Sequence, residues 1–142
     1  MGRKNRIRPI ALCLLRREEA ILVNEGYDSV KQMAFVRPLG GGIDFGETSA
    51  EAVVREIREE LGADITDVTL LGVVESIFDF DGSPYHELVF VYDGRFADGA
   101  LYEQEGLTGV EGKRQFTATW RSVADLQSGP LQLVPEPLWE LL

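Results

Sequence analysis

Glu56, Glu59 and Glu60 cluster in one segment shortly after the run Gly40-Gly41-Gly42. Carboxylates are hard oxygen donors suited to Mg2+ or Mn2+. With one cysteine and one histidine, the chain has no thiolate–imidazole spacing for zinc. The spacing predicts a helix over Ser49–Leu61, because Ala50, Val53, Val54, Ile57 and Leu61 recur on one face. Thr48 or Ser49 can cap its start, Thr48-x-x-Glu51 fits a capping box, and Gly62 stands at the stop position. On that helix Glu56 and Glu60 are like charges at i,i+4, which destabilises by a few tenths of a kcal/mol. Glu59 and Glu60 also fall in the last turn, where the helix dipole disfavours anions. Only Glu59 has a basic residue four positions earlier, Arg55. A solvated acidic face is the ordinary reading of such a helix. A bound cation is the reading that accounts for both penalties.

The glycine run permits close backbone approach to a ligand. It opens neither of two familiar phosphate loops. In Gly41-x4-Gly46-Glu47-Thr48 an acid replaces the lysine that a P-loop requires. Gly40-x-Gly42-x-x-Phe45 lacks the last glycine of a dinucleotide fingerprint.

Loop and helix together read Gly41-x5-Glu47-x7-Arg55-Glu56-Ile57-x-Glu59-Glu60-x-Gly62-Ala63. This resembles the signature of the Nudix hydrolases, the MutT-like proteins. Eight of the nine specified positions fit, and the ninth, Ala63, is smaller than the branched aliphatic residue usual there. The resemblance implies an α/β/α sandwich around a mixed sheet, of the α/β (α+β) class. It implies hydrolysis of a pyrophosphate bond in a nucleoside diphosphate linked to another moiety, with Mg2+ or Mn2+ as cofactor. Carried over by position, Glu56, Glu59 and Glu60 would be the catalytic and metal-binding acids, one of them orienting or deprotonating water. The Gly40 carbonyl would be a further metal ligand, and Gly41, Glu47 and Arg55 would be supports. Which glutamate is the base stays open, as does the number of metal ions. A further acid from a later loop is expected among Glu103, Glu105 and Glu111, with Glu111 favoured because it precedes the late strand. Arg37, just before the glycines, faces either a phosphate or solvent at a sheet edge. The family marks for ADP-ribose, dinucleoside polyphosphate and NADH substrates are missing, with Phe78 and Phe80-Asp81 standing where Pro or Tyr would be expected. Within the resemblance, these absences shift the expectation toward nucleoside triphosphates or nucleotide-sugar-like compounds as the small-molecule substrate, with the choice open. A non-catalytic nucleotide-binding or regulatory module on the same fold is the alternative.

The elements that must position this helix are mostly strands. Arg8–Leu15, Ala20–Val23 and Ala34–Leu39 are expected before it, and Thr69–Phe80, Glu87–Tyr92 and Thr117–Arg121 after it. The segment 93–115 reads as a long polar loop with one short turn. Val123–Leu126 reads as a helical turn, and Pro135–Leu142 as a short terminal helix. Tyr27, Phe78, Phe80, Tyr85 and Tyr102 are candidates to stack a base, with core packing the better assignment for any one of them. His86 reads as a loop residue after the turn Asp81-Gly82-Ser83-Pro84, and Cys13 as a buried, inert thiol.

The 142 residues suit a single domain spanning 1–142, with 1–8 as a basic, solvated N-terminal arm carrying Arg3, Lys4, Arg6 and Arg8. The net charge is −10, which argues against a duplex nucleic-acid partner. Residues 44–67 hold eight acids against two bases, so over half of the excess sits around the helix. The apolar run Ile10–Leu15 is shorter than a secretory signal core, and no run approaches a membrane span. A cytoplasmic protein, monomeric or homodimeric and without a membrane partner, is expected.

Overall fold

The computed structural model describes residues 5–142. Its strands are β1 (Ile7–Arg17), β2 (Ala20–Asp28), β3 (Met33–Gly42), β4 (Ile65–Phe80), β5 (Ser83–Phe96), β6 (Gly106–Glu111), β7 (Arg114–Ser122) and β8 (Gln132–Leu133). The helices are α1 (Ser49–Leu61) and α2 (Val123–Ser128), with 3-10 turns at Gly99–Glu103 and Glu136–Leu141. The strands form one mixed sheet in the order β4-β5-β1-β3-β2-β7-β6, with β8 beside β3. The β1–β5 and β3–β8 pairs are parallel and the other pairs antiparallel.

The unbroken apolar run of β1 follows from its central position. Ala11, Cys13 and Leu15 point into one core layer with Ala52, Val53 and Ile57 of α1. Ile10, Leu12 and Leu14 point into the other, with Leu126, Leu133 and Leu138. A strand covered on both faces needs apolar residues at both parities. Helical segments therefore cover both faces of the sheet, the α/β/α sandwich expected. Helix α1 spans the residues read from its periodicity. Thr48 and Glu51 complete the capping box, and Gly62 ends the helix in the left-handed conformation at φ 65°.

The segment 93–115 is not a long loop. It holds the end of β5, a 3-10 turn and β6. The β6 glycines, which suggested a loop, are a packing requirement. A Cβ at Gly109 would lie 2.6 Å from the Phe116 ring and 2.8 Å from the Glu60 carbonyl oxygen, so only glycine lets β6 pass the end of α1. His86 is also misassigned by sequence, since it lies within β5, paired with Ile7 and Ile77. The hairpin turn is only Asp81-Gly82, with φ of 50° and 82°, the two-residue geometry that continues strand twist. Ser83 and Pro84 already pair with Phe80 and Asp79. Of the basic residues grouped as an arm, Arg3 and Lys4 lie outside the described residues. Arg8 is inside β1. No helix among the described residues is long and apolar enough to cross a membrane.

Candidate active site

Helix α1 packs against β3 so that its acidic flank meets the glycine run. The contact depends on Gly41. A Cβ there would lie 2.6 and 2.7 Å from the two Glu56 carboxylate oxygens, so the missing side chain is the space the carboxylate occupies. Gly40, at φ 148°, is buried, and a Cβ on it would overlap the Ala11 carbonyl. It forms the floor behind Gly41.

Arg55 organises the acids. Its Nε donates to both Glu47 oxygens at 3.2 and 3.0 Å, and Nη2 donates to Glu47 Oε1 at 2.7 Å and the Gly42 carbonyl at 2.9 Å. Its Nη1 donates to Glu56 Oε2 at 3.2 Å and Glu59 Oε1 at 3.1 Å. One guanidinium thus ties the loop, the strand end and two carboxylates of the helix, a use of several fixed donors that lysine cannot reproduce. Hydrogen bonds from Arg55 hold the Glu47 carboxyl down at about 2.

Glu56 and Glu60 are relieved less than Glu47. The Glu56 and Glu60 carboxyls are close enough to act on each other. Burial pushes Glu60 up to about 8, helped by the Glu56 and Glu111 charges and opposed by Arg37. Burial also raises Glu56, against the pull of Arg55. Both carboxyls of the pair are thus held above the ordinary glutamate value, while Arg55 bridges Glu56 and Glu59. Among the described residues no three Asp, Glu, His or Cys side chains are drawn into a ready-made cage. Glu59 is 60% exposed and held by Arg55. The donor chemistry nevertheless suits a hard divalent cation: carboxylate oxygens, one pair of them partly desolvated, beside backbone with no Cβ in the way.

These groups line a cleft of about 370 Å3 that also contains Arg8, Ile10, Arg37, Gly42, Val110, Glu111 and Gly112. The structure therefore brings together Glu56, Glu59, Glu60, Gly41, Arg37 and Glu111 from the residues singled out by sequence. Glu103 lies in the 3-10 turn and Glu105 just after it, both exposed and away from the cleft. Of the stacking candidates, Phe78 and Tyr85 stack on each other at 5.4 Å, Phe80 packs on Phe35 and Tyr85, and Tyr102 packs on Phe96 and Trp120. Tyr27 is exposed. No aromatic ring is among the cleft-lining residues.

The sequence profile of the NUDIX domain matches residues 6–141. The chain belongs to the NUDIX family. A crystal structure of a MutT NUDIX hydrolase from Burkholderia pseudomallei superposes with a TM-score of 0.68 at 25% identity, covering 97% of this chain and 99% of that one. A NUDIX hydrolase from Nitrosomonas europaea shares the fold, with a TM-score of 0.65 at 17% identity over 96% of this chain and 86% of the other. A MutT4 protein of Mycobacterium tuberculosis is 34% identical over 65 residues, 46% of this chain. The chain spans 26% of the length of that relative.

Sequence gives two charged residues of this NUDIX domain no part in the site: Arg8, which it places in the basic arm and at the start of the first strand, and Glu87, which it places at the start of a strand. Glu87 is buried, 4% exposed, at the parity of Val89 and Val91, which face the core. A lone carboxylate on the core parity of an apolar strand is a signal that sequence does carry.

Proposed function

We propose that the chain is a divalent-metal-dependent pyrophosphohydrolase acting on a nucleotide-type small molecule, a nucleoside triphosphate or a nucleotide-sugar-like compound. The observation that carries this is the Glu56–Glu60 pair seated on Gly41, with Glu59 and Arg55 beside it, in a cleft that also holds Arg37. Glu56, Glu59 and Glu60, with the Gly40 carbonyl as a further donor, would hold Mg2+ or Mn2+. When bound, such an ion neutralises phosphate oxygens and lowers the pKa of water.

The residues of the chain do the rest. Arg55 fixes the Glu56 and Glu59 carboxylates at Nη1 and anchors the loop through Glu47. Arg37 faces the anionic substrate from the cleft wall. One carboxylate of the α1 set takes the proton from the attacking water. Glu111, at the end of β6, is the further acid nearest the pair and is proposed to assist there. An acidic wall and an anionic substrate repel each other, so the reading requires the cation as an intermediary.

The test is a panel of nucleoside triphosphates and diphosphate-linked compounds, with Mg2+ and with a chelator, identifying the products released. Metal-dependent release of a nucleoside monophosphate supports the proposal. Folded protein that binds nucleotides with Mg2+ but turns none over would instead be a non-catalytic NUDIX module.

A further inference from the structure

The cleft lining also includes two basic residues that the signature does not contain, Arg8 and Arg37. Arg8, the second residue of β1, stands beside Glu87 of β5 in the parallel register. Arg8 Nη1 donates to Glu87 Oε2 at 3.3 Å, the carboxylate side chain 6% exposed and the arginine side chain 35% exposed. The Tyr85 ring centroid lies 6.0 Å from the Arg8 guanidinium carbon on another side. Arginine has five N–H donors, and among the described residues Arg8 spends one of them on a side chain. Arg37 lines the same cleft and, among the described residues, makes no ion pair within 4.0 Å. Its charge acts on both Glu60 and Glu87, and it shares the cleft lining with Arg8 and Glu60.

Burying a carboxylate is unfavourable unless cations and hydrogen bonds compensate it. An apolar residue would serve β5 better for stability alone. What Glu87 adds is a fixed position for Arg8 in the lining of the cleft. A guanidinium so fixed presents its remaining donors in a fork that matches phosphate oxygens.

We infer that Arg8 and Arg37, with Glu87 as the positioning residue for Arg8, form a receptor for a terminal phosphoryl group and so favour a nucleoside triphosphate over a diphosphate capped by a neutral sugar. The inference rests on the hydrolase reading for the substrate's orientation. A terminal phosphoryl group carries close to two charges and three acceptor oxygens, enough for two guanidinium groups. A sugar-capped diphosphate offers a neutral ring at that end.

The experiment is calorimetric titration of the full chain with inorganic tripolyphosphate in Mg2+, for wild type, Arg8→Ala, Arg37→Ala, Glu87→Gln and the Arg8→Ala/Glu87→Gln double variant. Thermal unfolding checks that each is folded. Arg8→Ala and Arg37→Ala should each weaken binding about tenfold, the scale of one charge-assisted hydrogen bond. Glu87→Gln should weaken it several-fold and add nothing on top of Arg8→Ala, since it acts through Arg8. In turnover, KM for nucleoside triphosphates should rise in parallel with kcat little changed, while KM for nucleotide sugars should stay within about twofold. Unchanged tripolyphosphate affinity in both arginine variants, or equal KM increases for both substrate classes, overturns the inference. A Glu87→Gln protein that binds like wild type overturns the positioning role. Binding that depends on the arginines in a protein that hydrolyses nothing would sustain the receptor and sink the hydrolase reading. Turnover indifferent to Arg8 and Arg37 would do the reverse.

Discussion

Replacing Glu60 by Gln should make the metal-free protein more stable while removing its metal-dependent function. Burial and the neighbouring Glu56 and Glu111 charges push the Glu60 carboxyl up to about 8. At pH 7 the folded chain therefore holds a proton there that the unfolded chain, titrating near 4.5, has released. The folded state binds more protons between those values, so stability falls as pH rises from about 4.5 to about 8. Each tenfold in proton affinity is worth about 1.4 kcal/mol, or about 3 kcal/mol between the ordinary glutamate value and pH 7. Screening of a carboxyl that stays partly in contact with solvent cuts this to about 1–2 kcal/mol. Gln fills the same space and carries no charge in either state. The variant should match wild type near pH 4, exceed it by about 3–6 °C in Tm at pH 7, and exceed it further at pH 9. Adding Mg2+ should reverse the order, because a ligand that binds only the folded state stabilises it by mass action and the variant has lost a donor. Thermal unfolding at three pH values, with chelator and with Mg2+, reads all of this. Equal Tm values for the two proteins from pH 4 to pH 9 in chelator would refute the desolvated Glu56–Glu60 pair. An unchanged Mg2+ response would remove Glu60 from the metal site.

Four further outcomes follow from the geometry. Gly41→Ala should change stability by less than about 1 kcal/mol, since its Cβ meets only the mobile end of Glu56, yet abolish most turnover by evicting that carboxylate. Gly40→Ala, strained at φ 148° and driven into backbone, should instead cost about 3 kcal/mol or more, seen in denaturant unfolding. Arg55→Lys should lose about 1–3 kcal/mol and roughly tenfold in turnover, because one ammonium cannot reach Glu47, Gly42, Glu56 and Glu59 together. Cys13, whose thiol burial pushes up to about 12, should resist a disulfide reagent at pH 8 in the folded protein and react at once when unfolded.

The helix and its loop were legible because their signals are local. The capping box, apolar stripe and terminal glycine lie within one stretch of chain, and each was read with the right residues. The acidic flank was legible for the same reason, since like charges at i,i+4 can be counted without a structure. The segment 93–115 was misread because glycine has two uses, in turns and at close approaches. Gly109 is there for the ring of Phe116 and the end of α1, which a linear sequence does not place beside it. His86 was misread because a two-residue turn and a longer one share the same dipeptide.

What the sequence alone determined is the family signature, the helix with its unneutralised carboxylates and the unbroken apolar run of the first strand. All are set by residue identity at short spacing. What only the tertiary structure decided is who stands opposite. The parallel β1–β5 register pairs Arg8 with Glu87, residues 79 apart in the chain, and the sheet order carries Arg37 and Glu111 to the same cleft. Electrostatic partners at such separations are selected by strand pairing and burial, and no local pattern encodes them.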